Sequence, residues 1–586
     1  MLRRNRPRWC PTSACSRQMW VFALLLLLTV TSAAQERNAS PSGSGGAFRI
    51  SGTVVNAIND QPLGGAYVTI TAVQGAAART VMSGADGAFL FGGVRAGKYA
   101  LSAERRGFAS QQYQQHEGQF STAIAVGPGL DSGNIVFRIL PDASFSGRVA
   151  DEQGDAVRNA RVMLIREQVA EGRAIKAMVA NSSTDDQGRY RFAHLKPGAY
   201  YMAVSARPWF TQPFFGGGRG GFVGPNGGGN IGVQANPALD VAYPLTLYPD
   251  VTDSASASAI TLHAGDRATA DITLRAVPAL HVRIRNALPD AKTQPEQWRS
   301  GSSARLSQIV FDSIEIVAQG VGYMVPGDAI IVAGVSPGRY LMRVIPIARG
   351  FRRMDVQESD NQEQEQQPAR VREVELFADT ELDASEMPMN APVSGMVKLP
   401  NGQVPSRAPM IELRRGALRP SVVTRVNANG EFMFAQGLAA GTYEVVMNSS
   451  DGLFMQSVSA TGAKLAGRML RISGTDVVRL TIVANMGLGT VRGVALRDGK
   501  PQSGAMILLV PREMATNLPL IRRDQSDSDG SFTLSSVVPG RYTLLALEKG
   551  WDLRWGDATV LKPFLANGEP IVVDTKGNHN MRAKVQ

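Results

Sequence analysis

The chain has 586 residues, with 61 Lys and Arg against 50 Asp and Glu, a formal charge of +11, 44% hydrophobic residues and 19% charged residues. That length exceeds what one hydrophobic core can serve, and the composition is that of a globular multi-domain protein. The basic residues are scattered rather than clustered, so nucleic acid is not implied as a partner.

The first 34 residues read as an export signal. Arg3, Arg4, Arg6, Arg8 and Arg17 form a positive leader with no acid, residues 19–30 are apolar, and Ser32-Ala33-Ala34 offers small residues for cleavage. The apolar run of about twelve residues falls short of the ~20 that span a bilayer, so no transmembrane helix is expected in the mature chain. Both cysteines, Cys10 and Cys15, precede that run. The exported chain therefore has no disulfide, thiolate metal site or cysteine nucleophile, and its formal charge falls to +6. The expected location is the periplasm, the cell surface or the extracellular space.

Residues 35–47 are Ser/Gly-rich and predict a disordered linker. Short alternating strands then begin. Phe48 to Val55, Leu63 to Ile70, Asp86 to Phe91 and Gly97 to Ala103 are followed by Ile135 to Ile139, with turn residues between and no helical period. The same order recurs. Opening strands with a central glycine lie at Gly52, Gly147, Gly395 and Gly493, and a turn–strand–turn unit follows each. In Asp186-Gln187-Gly188-Arg189-Tyr190-Arg191-Phe192 the glycine supplies the positive φ of a tight turn, and the two aromatics point to one face. Pro197-Gly198 then turns the chain into Tyr200, whose ring is expected to be buried with its hydroxyl on a backbone partner. The second glycines of the repeat fall at 97, 198, 338, 441 and 540.

The prediction is an all-β fold, a tandem array of about five Ig-like or transthyretin-like β-sandwiches at 48–140, 141–277, 278–390, 391–486 and 487–586. The third copy is degenerate. The second carries a glycine-rich loop at 211–235 and the third an acidic, glutamine-rich loop at 355–367.

These residues carry a resemblance. The pattern G-x-V, A-x-V, D-x-x-G-x-F-x-F and L-x-P-G-x-Y, seen at Gly52, Val54, Ala66, Val68, Gly87, Phe89, Phe91, Gly97 and Tyr99, resembles the carboxypeptidase regulatory-like family of transthyretin-like and Cna-B-like sandwiches. The resemblance implies a seven-stranded sandwich, extracytoplasmic life, tandem use in secreted bacterial proteins, and no catalytic residue.

No internal chemistry competes with that reading. His116, His194, His263, His281 and His579 are not spaced as metal ligands, and no H-E-x-x-H sequence occurs. The segment from Gly92 to Tyr99 approaches a phosphate loop but lacks the final Ser or Thr, and position 98 varies among the repeats. Asp185-Asp186-Gln187-Gly188 and Asp527-Ser528-Asp529-Gly530 read as turn-forming acids rather than calcium loops. The chain is thus expected to be non-enzymatic, without a cofactor or metal, and to act as a spacer, adhesion or interaction scaffold toward a cell-envelope protein or polysaccharide. Carbohydrate binding through exposed aromatics is the alternative, with Trp551, Trp555, Trp209, Phe214 and Phe215 as the candidate ligand-binding residues. An accessory subunit of an extracellular hydrolase is a third reading. Trp209 and Trp551 fall eleven residues after the second glycine of their repeats, as Phe108 does, which favours a structural role for them; Trp555 has no such counterpart.

Overall fold

The computed structural model describes residues 48–75, 78–211, 239–287, 301–311, 314–325, 329–347, 369–415, 421–450 and 452–586. The export signal, the linker, Phe214, Phe215, the glycine-rich run and the acidic loop lie outside them.

The described chain is built from paired sheets that enclose five main hydrophobic cores. These draw on residues 50–139, 143–274, 280–387, 391–484 and 491–585. In the first sandwich the strand Phe48–Asn56 sits between Ala88–Val94 and Ile135–Ile139, and the facing sheet is Ala78–Met82, Tyr67–Ala72 and Gly97–Glu104 with two short edge strands. The later sandwiches repeat this plan. Alternation makes the cores: in Ala88–Val94, Phe89 and Phe91 point inward while their neighbours face solvent.

Each opening strand pairs antiparallel on one side with the strand that follows the hairpin turn, which carries aromatics in every copy but the third. On the other it pairs in parallel with the closing strand: Gly52 with Ile135, Ser146 with Thr269, Val282 with Thr380, Gly395 with Leu480 and Gly493 with Met581. This explains the central glycines. A Cβ on Gly52, Gly147, Gly395 or Gly493 would lie 1.8–2.4 Å from a carbonyl oxygen of the parallel partner. No side chain fits there.

Two further devices recur. One residue per copy, four before the second glycine, takes a positive φ where the strand register shifts: Gly93, His194, Gly334, Gly437 and Ser536. This is a bulge that bends the strand over its core. The tyrosines after the turn are anchored as expected. Tyr99, Tyr200, Tyr340, Tyr443 and Tyr542 each donate to the carbonyl four residues upstream, at 2.6–3.1 Å. The acids at the hairpin turns also act locally, Asp185 accepting from the Gln187 and Arg189 amides at 2.9 and 2.8 Å.

Two elements depart from the sequence-based expectation. Between strands Gly540–Leu547 and Glu569–Val573 the chain forms a 3-10 turn, Gly550–Asp552, and an α-helix, Ala558–Leu565. Asp557 caps the helix by accepting from the Thr559 amide and hydroxyl at 2.8 and 2.7 Å. The second departure is a long hairpin, Arg161–Ala170 with Arg173–Ser183, which reaches beyond its own sandwich. Among the described residues, no helix is long and apolar enough to cross a membrane.

Candidate functional site

The sandwiches do not hang as separate beads. Short segments of the first and the last are hydrogen-bonded to one another, although some 400 residues separate them in sequence. The turn 525–531 of the last sandwich lies along 122–126 of the first: Ser528 N donates to Ala123 O at 2.9 Å, Ala123 N to Asp527 Oδ1 at 3.0 Å, and Ala125 N to Ser528 Oγ at 2.8 Å. Lys98 Nζ reaches Asp527 Oδ2 at 2.5 Å and Ser531 Oγ at 2.7 Å. The buried Gln525 amide donates to Gln114 O at 2.8 Å and Thr122 Oγ1 at 2.9 Å, while its oxygen lies 2.9 Å from His116 Nδ1. Arg523 Nη1 lies 2.9 Å from both carboxylate oxygens of Glu117. Buried polar groups that satisfy one another this fully fix a single docking geometry.

Charge is held under tension here. Burial pushes the Asp524 carboxyl up to about 6, against the pull of hydrogen bonds from the Thr533 and Gln525 amides. Burial also raises Asp527, and the Lys98 ammonium offsets only part of that cost.

Trp551 and Trp555 fall inside this joint, which corrects their assignment as exposed aromatics. They are 8% and 5% exposed. The insertion 548–568 folds them down onto the outer face of strands Met506–Pro511 and Gly540–Leu547, where they form a satellite core with Met506, Leu508 and Leu561. The first sandwich covers part of it. Trp551 stacks on His116 at 4.6 Å with the rings 7° apart, and its Nε1 donates to Gly504 O at 3.1 Å. The Arg523 guanidinium stands 4.7 Å from the Phe120 ring and 4.5 Å from that of Trp555. Trp555 Nε1 is buried without an acceptor among the described residues. A sugar platform needs an open ring face, and neither tryptophan has one. Trp209, the position whose place in the repeat favours a structural role, is instead 75% exposed, with Phe210 edge-on at 5.8 Å.

The long hairpin of the second sandwich closes the arrangement. Its Glu171-Gly172 turn has φ of +49° and +74°, the two-residue turn that matches strand twist. The tip presses on Trp555: a Cβ on Gly172 would lie 2.4 Å from that ring, and Gly556 N donates to Gly172 O at 2.8 Å. Beside it, Arg173 meets the buried Glu444 at 3.0 Å and Arg414 meets Glu171 at 2.6 Å. Nearer its base, Met163 and Ile165 pack against Ile314 and Ile316 of the third sandwich. One hairpin thus touches three other sandwiches.

Around the tip lies a cavity of about 600 Å³, walled by the fourth and fifth sandwiches and the hairpin. Its charged lining is Arg173, Arg414, Arg468, Arg522 and Arg523 against Glu171 and Glu444. Burial lowers Arg468 to about 10, and it lowers Arg522 as well. Sequence reasoning missed this site, because each arginine is unremarkable within its own repeat and the cavity arises only from packing between repeats. Among the described residues, no group of three or more His, Cys, Asp or Glu side chains is placed to hold a metal ion.

The carboxypeptidase regulatory-like domain model matches residues 49–129 and 144–210. No curated protein matches the chain. Among solved structures, the chain is similar to a streptococcal ancillary pilin, at 11% identity over 52% of this chain and 98% of that one with a TM-score of 0.18. It is also similar to GBS52, the minor pilin of Streptococcus agalactiae (14%, 33% and 95%, TM-score 0.17), and to the shaft pilin SpaA of Lactobacillus rhamnosus GG (9%, 40% and 98%, TM-score 0.18). Scores this low leave the description of the architecture to the chain's own sheets.

Proposed function

From a chain whose first two sandwiches are carboxypeptidase regulatory-like domains, we propose that the protein is an exported, non-catalytic interaction scaffold that works at the cell envelope as one closed body rather than as a jointed spacer. The observation that carries this reading is the joint between the first and last sandwiches, in which Lys98, Gln114, His116, Glu117 and Thr122 meet Arg523 to Ser531. A flexible spacer has no use for buried hydrogen bonds between its two ends. A scaffold that presents loops in fixed relation to an envelope protein or polysaccharide does.

Small-angle scattering of the exported chain tests the closed form. A compact body of this length has a radius of gyration of about 24 Å. Five sandwiches end to end, each built on strands about 30 Å long, would give about twice that. A value near the larger figure ends the closed-scaffold reading. Capture from native envelope fractions then tests the scaffold role, which fails if no envelope protein or polysaccharide is enriched over a bare-resin control.

One observation favours a second, carbohydrate-binding reading: the open face of Trp209 with Phe210 at its edge. A glycan array comparing the wild type with Trp209→Ala decides it, since binding that is absent or indifferent to the substitution removes the sugar.

A further inference from the structure

The cavity beside the hairpin tip carries more positive charge than its carboxylates can balance. Arg173 is matched by Glu444, Arg414 by Glu171 and by Glu412 behind it, and Arg523 by Glu117 of the first sandwich. Arg468 and Arg522 remain. Among the described residues, no carboxylate lies within ion-pair distance of either.

Their protein partners are backbone carbonyls. Arg468 Nη2 donates to Met455 O at 2.6 Å. Arg522 donates from Nε to Ser536 O at 3.0 Å, and from Nη1 to Pro519 O and Ile521 O at 3.0 and 3.1 Å. These bonds fix the two guanidiniums in place. They leave Nε and Nη1 of Arg468 and Nη2 of Arg522 without a protein acceptor among the described residues, and a guanidinium carries five N–H donors in a rigid fork. The two cations also repel one another, and burial has removed much of the water that would screen them. Two preorganised, half-buried, mutually repelling guanidiniums in a cavity of this size are an arrangement that an anion stabilises and an empty cavity does not.

We infer that the cavity between the fourth and fifth sandwiches and the hairpin tip is a binding site for an oxyanion, held by Arg468 and Arg522. The ligand class is a phosphate, sulfate or carboxylate group, either free or carried on a small sugar, for which about 600 Å³ leaves room. The polar rim at Asn448, Ser449 and Ser450 is where a sugar hydroxyl would meet hydrogen-bonding groups. This inference rests on the closed packing of the repeats put forward above, which scattering tests separately, and not on the scaffold role.

Isothermal titration of the full exported chain tests it, with inorganic phosphate, sodium sulfate, galacturonate and glucose 6-phosphate as probes in a chloride buffer of matched ionic strength. The expected result is saturable binding of at least one oxyanion, weakened at least tenfold in the double variant Arg468→Gln/Arg522→Gln, with circular dichroism and scattering unchanged. Tighter binding of glucose 6-phosphate or galacturonate than of the free ions identifies a sugar-borne group, and the reverse order identifies a free ion. No saturable binding above the chloride control, or equal affinity in the double variant, overturns the site. A second measurement does not depend on the variant folding. Phosphate or sulfate should protect Arg468 and Arg522 of the wild type from phenylglyoxal, read by peptide mass spectrometry, while exposed Arg407 is modified equally with and without the anion. Equal modification of all three in both conditions also counts against it.

Discussion

The Lys98 ammonium lies 2.5 Å from the Asp527 carboxylate, tying the strand that follows the turn in the first sandwich to the hairpin turn of the last, 429 residues away. Lys98 is about one-third exposed and Asp527 about one-seventh, so screening discounts the pair but does not remove it. Lys98→Met leaves the Asp527 carboxylate with the Ala123 amide as its contact across the joint. The expected loss is about 1–2 kcal/mol, below the 3–5 kcal/mol of a fully buried pair because water reaches one partner. Adding Asp527→Asn in the same chain should recover part of it. Urea midpoints of the two single variants and the double variant measure the coupling, and a coupling energy of zero means the contact does not contribute.

Asp524 gives the joint a pH dependence whose sign is opposite to that of most carboxylates. Its ordinary value is 3.8 and burial raises it to about 6 in the folded chain. The folded state therefore binds more protons than the unfolded state between those values, and stability rises as pH falls from about 7 to about 4. A rise of this size corresponds to about 3 kcal/mol. Burial raises Asp527 as well, adding in the same direction. Asp524→Asn should raise the neutral-pH denaturation midpoint and flatten its change between pH 7 and pH 5. A wild-type midpoint that falls over the same interval contradicts the assignment.

Gly172 is held by two independent constraints, a φ of +74° and contact with Trp555 and Gly556. Gly172→Ala costs about 1 kcal/mol through the backbone alone. The larger effect is steric, because a methyl group 2.4 Å from the indole must push the hairpin tip out of its seat. Trp555 then gains water. A red shift in tryptophan emission, with faster hydrogen exchange at the Gly556 amide, is the expected outcome. Glu171→Ala, which leaves the turn glycine in place, should shift the emission far less.

Much of the fold was legible because each sandwich is specified locally. The turn glycines Gly87, Gly188, Gly430 and Gly530, the alternating aromatic and aliphatic residues that follow them, and the anchored tyrosines all act within about fifteen residues of sequence, so they survive as a readable repeat. The central glycines were legible as a repeat but not as a cause, since the parallel closing strand that excludes a side chain lies about 80 or more residues downstream. The joint was not legible at all. Position 98 varies among the copies, and that variation looked like tolerance. Lysine there has a partner only because the first sandwich meets the last. Trp555 misled for the same reason: nothing within its own repeat says that a hairpin tip from the second sandwich will close over it. The helix Ala558–Leu565 left one local sign, the cap Asp557 with Thr559, too brief to read against a strand-rich chain.

The tyrosine anchor provides the last prediction, because five copies act as internal replicates. Tyr542 donates to Val538 O at 2.7 Å from a ring 4% exposed, whereas Tyr99 donates to Arg95 O at 3.1 Å from a ring that is only half-buried. Replacing either by Phe removes the hydroxyl and keeps the ring, so the change reads the hydrogen bond rather than the packing. At Tyr542 the orphaned carbonyl is sealed from water, and the expected cost is about 1–2 kcal/mol. At Tyr99 water can replace the hydroxyl, and the expected cost is about 0.5 kcal/mol or less. Thermal or urea unfolding of the two variants separates these outcomes. Equal losses would mean that the upstream carbonyl is not what sets the contribution of the hydroxyl.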